Sequence, residues 1–301
     1  MALQLDDKLV VGISSRALFD LEKENSIFEN EGLEAYSKFQ IEHENEILMP
    51  GTAFPLIKAL QNLNADDKYL TEVIIMSRNS ADTSLRIFNS IQHYGLNISR
   101  AVLSGGAPTT PYLDAFRTDL FLSAKEEDVQ DAINANVAAG LICDHEGLSI
   151  DPNQKIEQIR IAFDGDAVIF SDEAERVFQV DGLDAFVEHE QQKATLPLPA
   201  GPFAKLLKTI SLIQKSFDEK NVPIRTALVT ARSAPAHERA IRTLRAWDVR
   251  VDEAFFLGGI EKSEVLKAFG AHIFFDDQKT HTERAKHMVP SARVPYKEEI
   301  K

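Results

Sequence analysis

A single cysteine, Cys143, stands in 301 residues, which excludes intrachain disulfides and zinc sites built on thiolates. Long apolar runs are missing as well. No stretch approaches the roughly 18 residues that a membrane-spanning helix requires, and Met1 to Asp7 lack the basic, apolar and small-residue order of a secretory signal. The expectation is a cytoplasmic protein with no membrane contact. Positive charge is scarce: 33 Lys and Arg face 47 Asp and Glu, a net charge of −14. A general nucleic-acid binder needs a basic face, so nucleic acid is set aside as a partner. A small anionic ligand is not, because the field at one site can oppose the total. Low-complexity tracts do not occur. What is present is an ordinary globular composition, 44% hydrophobic and 27% charged, in a chain long enough for two domains or one large one.

The chain resembles itself. Residues 74–106 lie on 227–259 at a constant shift of 153, with six of 33 pairs identical, among them Arg86 on Arg239 and Gly105-Gly106 on Gly258-Gly259. The same shift carries Leu113, Ala115, Phe116 and Phe121 onto Leu266, Ala268, Phe269 and Phe274. At a shift of 150, Val11-Gly12-Ile13-Ser14 meets Ile161-Ala162-Phe163-Asp164. Ungapped continuity on this scale reads as an internal duplication. In the second half, short apolar runs at 159–163, 225–229, 254–257 and 272–275 alternate with helical patterns at 203–216, 235–247 and 262–269. Such alternation implies an α/β fold with a doubly wound parallel sheet. The stretch Asp144 to Gln158, with Gly147 and Asp151-Pro152-Asn153, reads as the linker. Trp247 and Tyr94 fall at matching helix positions and read as core, not as a base-stacking platform. His43-Glu44 and His189-Glu190 occur once in each half, which favours helix packing over metal binding.

Chemistry concentrates in the second half. The run Ile161 to Phe163 closes on Asp164-Gly165-Asp166, at the carboxyl end of a predicted strand, where open α/β sheets bind ligands. Two carboxylates so placed suit a hard cation and a phosphate group. Further along come Thr230 after Ala-Leu-Val, Lys262 at a helix start, and Asp276-Asp277 after Ile-Phe-Phe. In the first half Ser14, Arg16, Thr109, Ser123 and Ala124 stand at the positions of Asp164, Asp166, Lys262, Asp276 and Asp277. Coordinated loss of every such group marks the second half as catalytic and the first as a degenerate copy.

These four motifs, in this order, resemble the haloacid dehalogenase superfamily of phosphohydrolases. The blocks Ile13 to Asp20, Phe39 to Asn45, Phe163 to Glu173, Leu228 to Ser233 and Phe274 to Gln278 are similar to the cytosolic 5'-nucleotidase type I family, over nearly the whole chain. The resemblance implies a haloacid dehalogenase-like Rossmannoid fold: a degenerate half at 1–146 with a substrate or interface role, and a catalytic half at 157–301 with a cap inserted at about 171–224. It also implies Mg²⁺-dependent hydrolysis of a nucleoside 5'-monophosphate, AMP or a deoxynucleotide foremost. Asp164 is then the nucleophile that becomes an aspartyl-phosphate, and Asp166 the acid that protonates the leaving oxygen and later activates water. Mg²⁺ would be held by Asp164, Asp166 through its carbonyl, and Asp277, with Asp276 behind it. Lys262 neutralises Asp164 and holds phosphate oxygens. Thr230 and the free N–H groups of a helix opening near Ser233, with Pro235 in its first turn, complete the anion site, together with Gly165. Arg232 is placed to help with phosphate or substrate. Within the cap, Ser171 to Glu190, with Phe178 and Phe186, is a candidate for excluding water. Its counterpart in the first half, Phe19 to Asn45, is expected to build part of the nucleotide pocket or an interface between copies of the chain. Competing readings are another small-molecule phosphatase or phosphotransferase of the superfamily, and a nucleotide-binding module without catalysis.

Overall fold

The computed structural model describes residues 5, 8–64, 68–144 and 150–298. The first half runs β1 (Leu9–Ile13), α1 (Ser15–Leu18), α2 (Glu22–Glu42), α3 (Phe54–Gln61), β2 (Thr71–Ser77), α4 (Leu85–His93), β3 (Arg100–Leu103), α5 (Thr110–Ala115), β4 (Leu120–Ser123), α6 (Glu126–Asn134) and β5 (Ala138–Ile142). The second runs β6 (Ile159–Phe163), a π-helical turn (Gly165–Ile169), α7 (Glu173–Gln192), α8 (Ala204–Lys215), a 3-10 turn (Glu219–Asn221) and β7 (Ile224–Thr230). It continues with α9 (His237–Ala246), β8 (Glu253–Phe256), α10 (Ser263–Phe269), β9 (Ile273–Asp276), α11 (Lys279–Ala285) and β10 (Ser291–Arg293). The alternation expected from the apolar runs is therefore present. The inner strands are largely apolar, as expected where helices cover both faces of a sheet, while Glu72, Arg100, Arg225, Glu253 and Arg293 stand in β2, β3, β7, β8 and β10.

All ten strands form one sheet in the order β3-β2-β1-β4-β5-β10-β9-β6-β7-β8. Pairing is parallel within each half, and the two halves meet through an antiparallel seam in which Ala292 faces Ile142 and Arg293 faces Leu141. Each half repeats the same order about its first strand. Fine detail repeats too: Ser14 N donates to Leu122 O and Asp164 N to Phe275 O, both at 2.8 Å. Helices α2 and α7 each break at a glycine in a conformation closed to other residues, Gly32 (φ 86°, ψ −177°) and Gly182 (φ 84°, ψ −174°). Their equal offset of 150 shows that His43-Glu44 and His189-Glu190 are out of register with each other. Gln40, not Glu44, stands where Glu190 does.

The seam has a geometric consequence. Because it is antiparallel, the carboxyl ends of β1 to β4 and those of β6 to β9 open on opposite edges of the sheet. Five strand spacings separate β1 from β6, about 24 Å at the usual inter-strand distance. The core nevertheless ignores the boundary. One cluster of buried side chains joins Leu9, Ile13 and Phe121 to Phe163, Phe203 and Phe275, while α3 packs on β6 and α8 on β1. Trp247 and Tyr94 are core neighbours as expected, Trp247 beside Phe170 (5.8 Å between centroids) and Tyr94 beside Phe54 (5.0 Å).

Two strands escape the sequence reading, β5 and β10. Ala138-Ala-Gly-Leu-Ile142 carries little β-branching, and Ser291–Arg293 is too short to show a period. The expected linker has no helix or strand over 150–158; its residues 145–149, Gly147 among them, lie outside the described residues. Among the described residues, no helix is long and apolar enough to cross a membrane.

Candidate active site

Asp164 leaves the end of β6 on a firm base. Phe163 stacks on Phe275 at 5.7 Å between centroids, and Phe203 leans on Phe275 at 4.8 Å. The next residues turn at once. In the π-helical turn Asp166 is extended (φ −73°, ψ 140°) and Ala167 is left-handed (φ 60°), and Phe170 N closes the turn on Gly165 O at 2.9 Å. This tight loop returns Asp166 to the same sheet edge as Asp164. Gly165 is closely packed: a Cβ there would come within 3.3 Å of Thr230 Oγ1 and 3.4 Å of Leu228. Across from it the chain comes back from α7, and Gly201 passes so close that an added Cβ would sit 2.2 Å from the carbonyl oxygen of Phe170.

The acids and the lysine converge. Asp164, Asp276 and Asp277 each place a carboxylate oxygen within 4.8 Å of the others, and all three are buried. Lys262, at the N-cap of α10, donates from Nζ to Asp164 Oδ1 and to Asp276 Oδ2, both at 2.6 Å. Asp276 is further engaged: its Oδ1 accepts from Gln278 N at 2.8 Å, and His281 Nδ1 lies 3.2 Å from Oδ2. Among the described residues the hydrogen-bond partner of Asp277 is the Tyr296 hydroxyl, which donates to Oδ2. Tyr296 belongs to the C-terminal segment, which Gln130 of α6 anchors through the Tyr296 carbonyl at 2.9 Å.

Charge crowding shows in the titration of these groups. Burial and then the charges of Asp276 and Asp166 push the Asp164 carboxyl up to about 7, against the pull of Lys262. Asp277 rises to about 8, through burial first and then the charges of Asp164 and Asp276. Burial opposes ionisation of Asp276 too, but Lys262 and His281 win and hold it below the usual range. For Lys262 burial favours the neutral amine; the two carboxylates against it outweigh that and raise its pKa, so it stays charged. Asp164, Asp276 and Asp277 together could hold a metal ion.

The remaining predicted residues divide. Thr230, 1% exposed at the end of β7, accepts from Arg232 N at 3.2 Å and lies against Gly165. Arg232 does not point outward. Its guanidinium forks onto both oxygens of Asp166 (Nε to Oδ2 2.8 Å, Nη2 to Oδ1 2.7 Å) and its Nη1 donates to Glu190 and to Ala236 O. Glu190, on α7, also accepts from Arg239 Nη1 at 2.8 Å. Ser233 is exposed and lies before the helix: α9 opens at His237, so Pro235 occupies the preceding turn instead of the first helical turn.

Residues the motifs did not flag are thus Glu190, Arg239, His281 and Tyr296. A signal for Glu190 lies in the sequence correspondence between the halves. At shifts of 150 and 153, Glu190 and Arg232 fall on Gln40 and Asn79, so both partners of the ion pair become neutral amides together. Arg86, the counterpart of Arg239, keeps its charge and pairs with Glu24.

Against known proteins, the whole chain, residues 1–301, matches a family model described as 5'-nucleotidase. Human cytosolic 5'-nucleotidase 1B is 41% identical over 292 residues, which cover 93% of this chain and 47% of the human protein. The chain therefore spans about half the length of that curated relative. No solved structure gives a significant match. A match that runs through both halves, including the one without the motif acids, reaches far beyond four short motifs, and on that ground the chain belongs to the 5'-nucleotidase family.

Proposed function

We propose that the protein is a Mg²⁺-dependent 5'-nucleotidase that hydrolyses nucleoside 5'-monophosphates to nucleoside and phosphate through an aspartyl-phosphate. The observation that carries this reading is the meeting of Asp164, Asp276, Asp277 and Lys262 at one sheet edge. The donor set fits a hard divalent cation: all three carboxylates offer oxygen, and two of them titrate near or above neutrality for want of positive charge. Asp164 and Asp277 would hold the ion, with the Asp166 carbonyl. Asp276, already occupied by Lys262 and Gln278 N, would support it from behind. Bound there, Mg²⁺ would neutralise phosphate oxygens and keep Asp164 ionised.

The chain's own groups carry the steps. A carboxylate oxygen of Asp164 attacks phosphorus, and the bond to the ester oxygen breaks. Asp166 gives that oxygen a proton. It then takes one from the water that cleaves the aspartyl-phosphate, and Asp164 is regenerated. Lys262 and the Thr230 hydroxyl stabilise charge on the transferring group. Asp166 needs one aim for both proton transfers, and the Arg232 fork supplies it by fixing the carboxylate plane. Arg232 is thus a positioning residue in this arrangement. Helix α7, which brings Glu190 to Arg232, ties the cap to that aim. A cytosolic location, carried in the human relative's name, is proposed with the activity.

Phosphate release from a panel of nucleoside and sugar monophosphates, with and without Mg²⁺, tests this directly. Wild-type protein is expected to release phosphate from nucleotides only with the metal. Asp164→Asn should fold normally and lose several orders of magnitude in turnover, since an amide cannot be the nucleophile. Turnover that survives in D164N, or a panel in which sugar phosphates outrank every nucleotide, would overturn the assignment.

A further inference from the structure

A cavity of about 540 Å³ opens at the carboxyl edge of the first half, lined only by residues of that half. It lies where the duplicated topology repeats the Asp164 site, across the sheet and facing the other way. The volume is in the range that holds a small organic ligand. What has changed is the chemistry of its floor. Ser14 and Ser123 stand at the positions of Asp164 and Asp276, and Arg16 at that of Asp166; of the carboxylates that line the cavity, Glu24 is paired with Arg86 and Asp128 with Arg78, and Asp82 lies at an exposed position.

The hydroxyls there are arranged to donate. Ser14 Oγ accepts from Ala17 N at 3.3 Å and Ala124 N at 3.4 Å, and Ser123 Oγ accepts from Lys125 N at 3.1 Å. With their oxygens engaged by backbone N–H groups, both hydroxyl protons remain for an acceptor in the cavity. Arg16 adds a buried Nε with no hydrogen-bond partner among the described residues, although its other two nitrogens are held by Asn25 and Glu22 at 2.8 Å each. Asn79 Nδ2, beside the Tyr36 hydroxyl, makes no well-formed hydrogen bond either. Buried donors left idle cost free energy unless a ligand uses them. Opposite this polar floor is an apolar wall on the kinked helix α2, where Phe28 meets Tyr36 edge-on at 5.9 Å and Leu33, 65% exposed, completes the lining.

We propose that this cavity is a second ligand site, which takes a phosphate monoester carrying an aromatic ring, of nucleotide size, without a metal ion. The phosphate meets Ser14, Ser123 and Arg16, and the ring lies against Phe28 and Tyr36. The site rests on its own geometry and not on the catalytic assignment.

The test is calorimetric binding of AMP to the full chain in excess EDTA, beside adenosine and inorganic phosphate as separate probes. Wild-type protein is expected to bind AMP without metal, more tightly than either fragment probe. Ser123→Asp and Arg16→Glu, tested singly, should each weaken AMP by about tenfold or more, the scale of a lost charge-assisted hydrogen bond. Mg²⁺-dependent phosphate release by the same variants should stay close to wild type, which also reports that they fold. Should S123D fail to fold, R16E at the partly exposed Arg16 carries the test alone. No AMP binding in EDTA, or binding unchanged in the folded variants, overturns the proposal. Failure of the catalytic reading would show instead as absent phosphate release with metal-free binding intact.

Discussion

Single side chains at the active edge are held by pairs of charges, and the pairs explain which ones matter beyond the motif. Glu190 is buried between Arg232 and Arg239, and Arg232 in turn grips Asp166. Glu190→Gln removes the anion that keeps Arg232 in place, so the aim of Asp166 should loosen while the phosphate contacts proposed for Lys262 and Thr230 survive. The expected result is a fall in kcat of about 100-fold, the scale of a misplaced catalytic group, with KM nearly unchanged; Glu190→Asp should recover part of it. A KM rise with intact kcat would instead mark Glu190 as a substrate contact. At this scale the acids were legible because they follow apolar runs, and Lys262 because it stands at the start of a helical pattern, both visible in one dimension. Glu190, His281 and Tyr296 were not, since what makes them part of the site is proximity across 42, 5 and 19 residues to the groups they touch. Arg232 was legible as a site residue, but its direction was not: only its packing against Asp166 shows that it faces inward.

Among the elements, the π-helical turn after β6 depends on a neighbour remote in sequence. Gly201 N donates to Ile169 O at 2.9 Å and Phe203 N to Val168 O at 3.0 Å, so the segment between α7 and α8 clamps the loop that carries Asp166. A methyl group on Gly201 would meet backbone oxygens at 2.2 and 2.5 Å, which no side-chain rotation can relieve. Gly201→Ala should lower stability by about 1–3 kcal/mol, as overpacking does, and reduce activity in proportion to the displacement of Asp166. Thermal unfolding followed beside phosphate release checks both; an unchanged midpoint would show that the segment yields. The strands β6 to β9 and the helices α8, α9 and α10 were readable to within one or two residues, because apolar period and length specify them together, whereas α7 and α11 were not delimited. The π turn was not readable. Its extra residue relative to α1 alters the path between β6 and Phe170 without altering any hydrophobic pattern.

The molecule as a whole is two five-stranded sheets fused along a seam of two residue pairs. Such a slender join suggests two independent domains, and the sequence boundaries at 146 and 157 fall beside it. The buried cluster argues otherwise: Leu9, Phe121, Phe163 and Phe203 share one core, and α3 and α8 each pack on a strand of the opposite half. Calorimetric unfolding should therefore show a single transition with equal calorimetric and van't Hoff enthalpies; two resolved transitions would separate the halves after all. Duplication within a sequence can display matched elements, but the relative direction of the copies belongs to the seam, and a three-residue strand such as β10 leaves almost no trace of it. That direction gives the fold a front and a back. Substitutions that retune what one end accepts need not disturb the other, so a chain of this build can change its chemistry and its responsiveness along separate mutational routes, with energetic effects that sum.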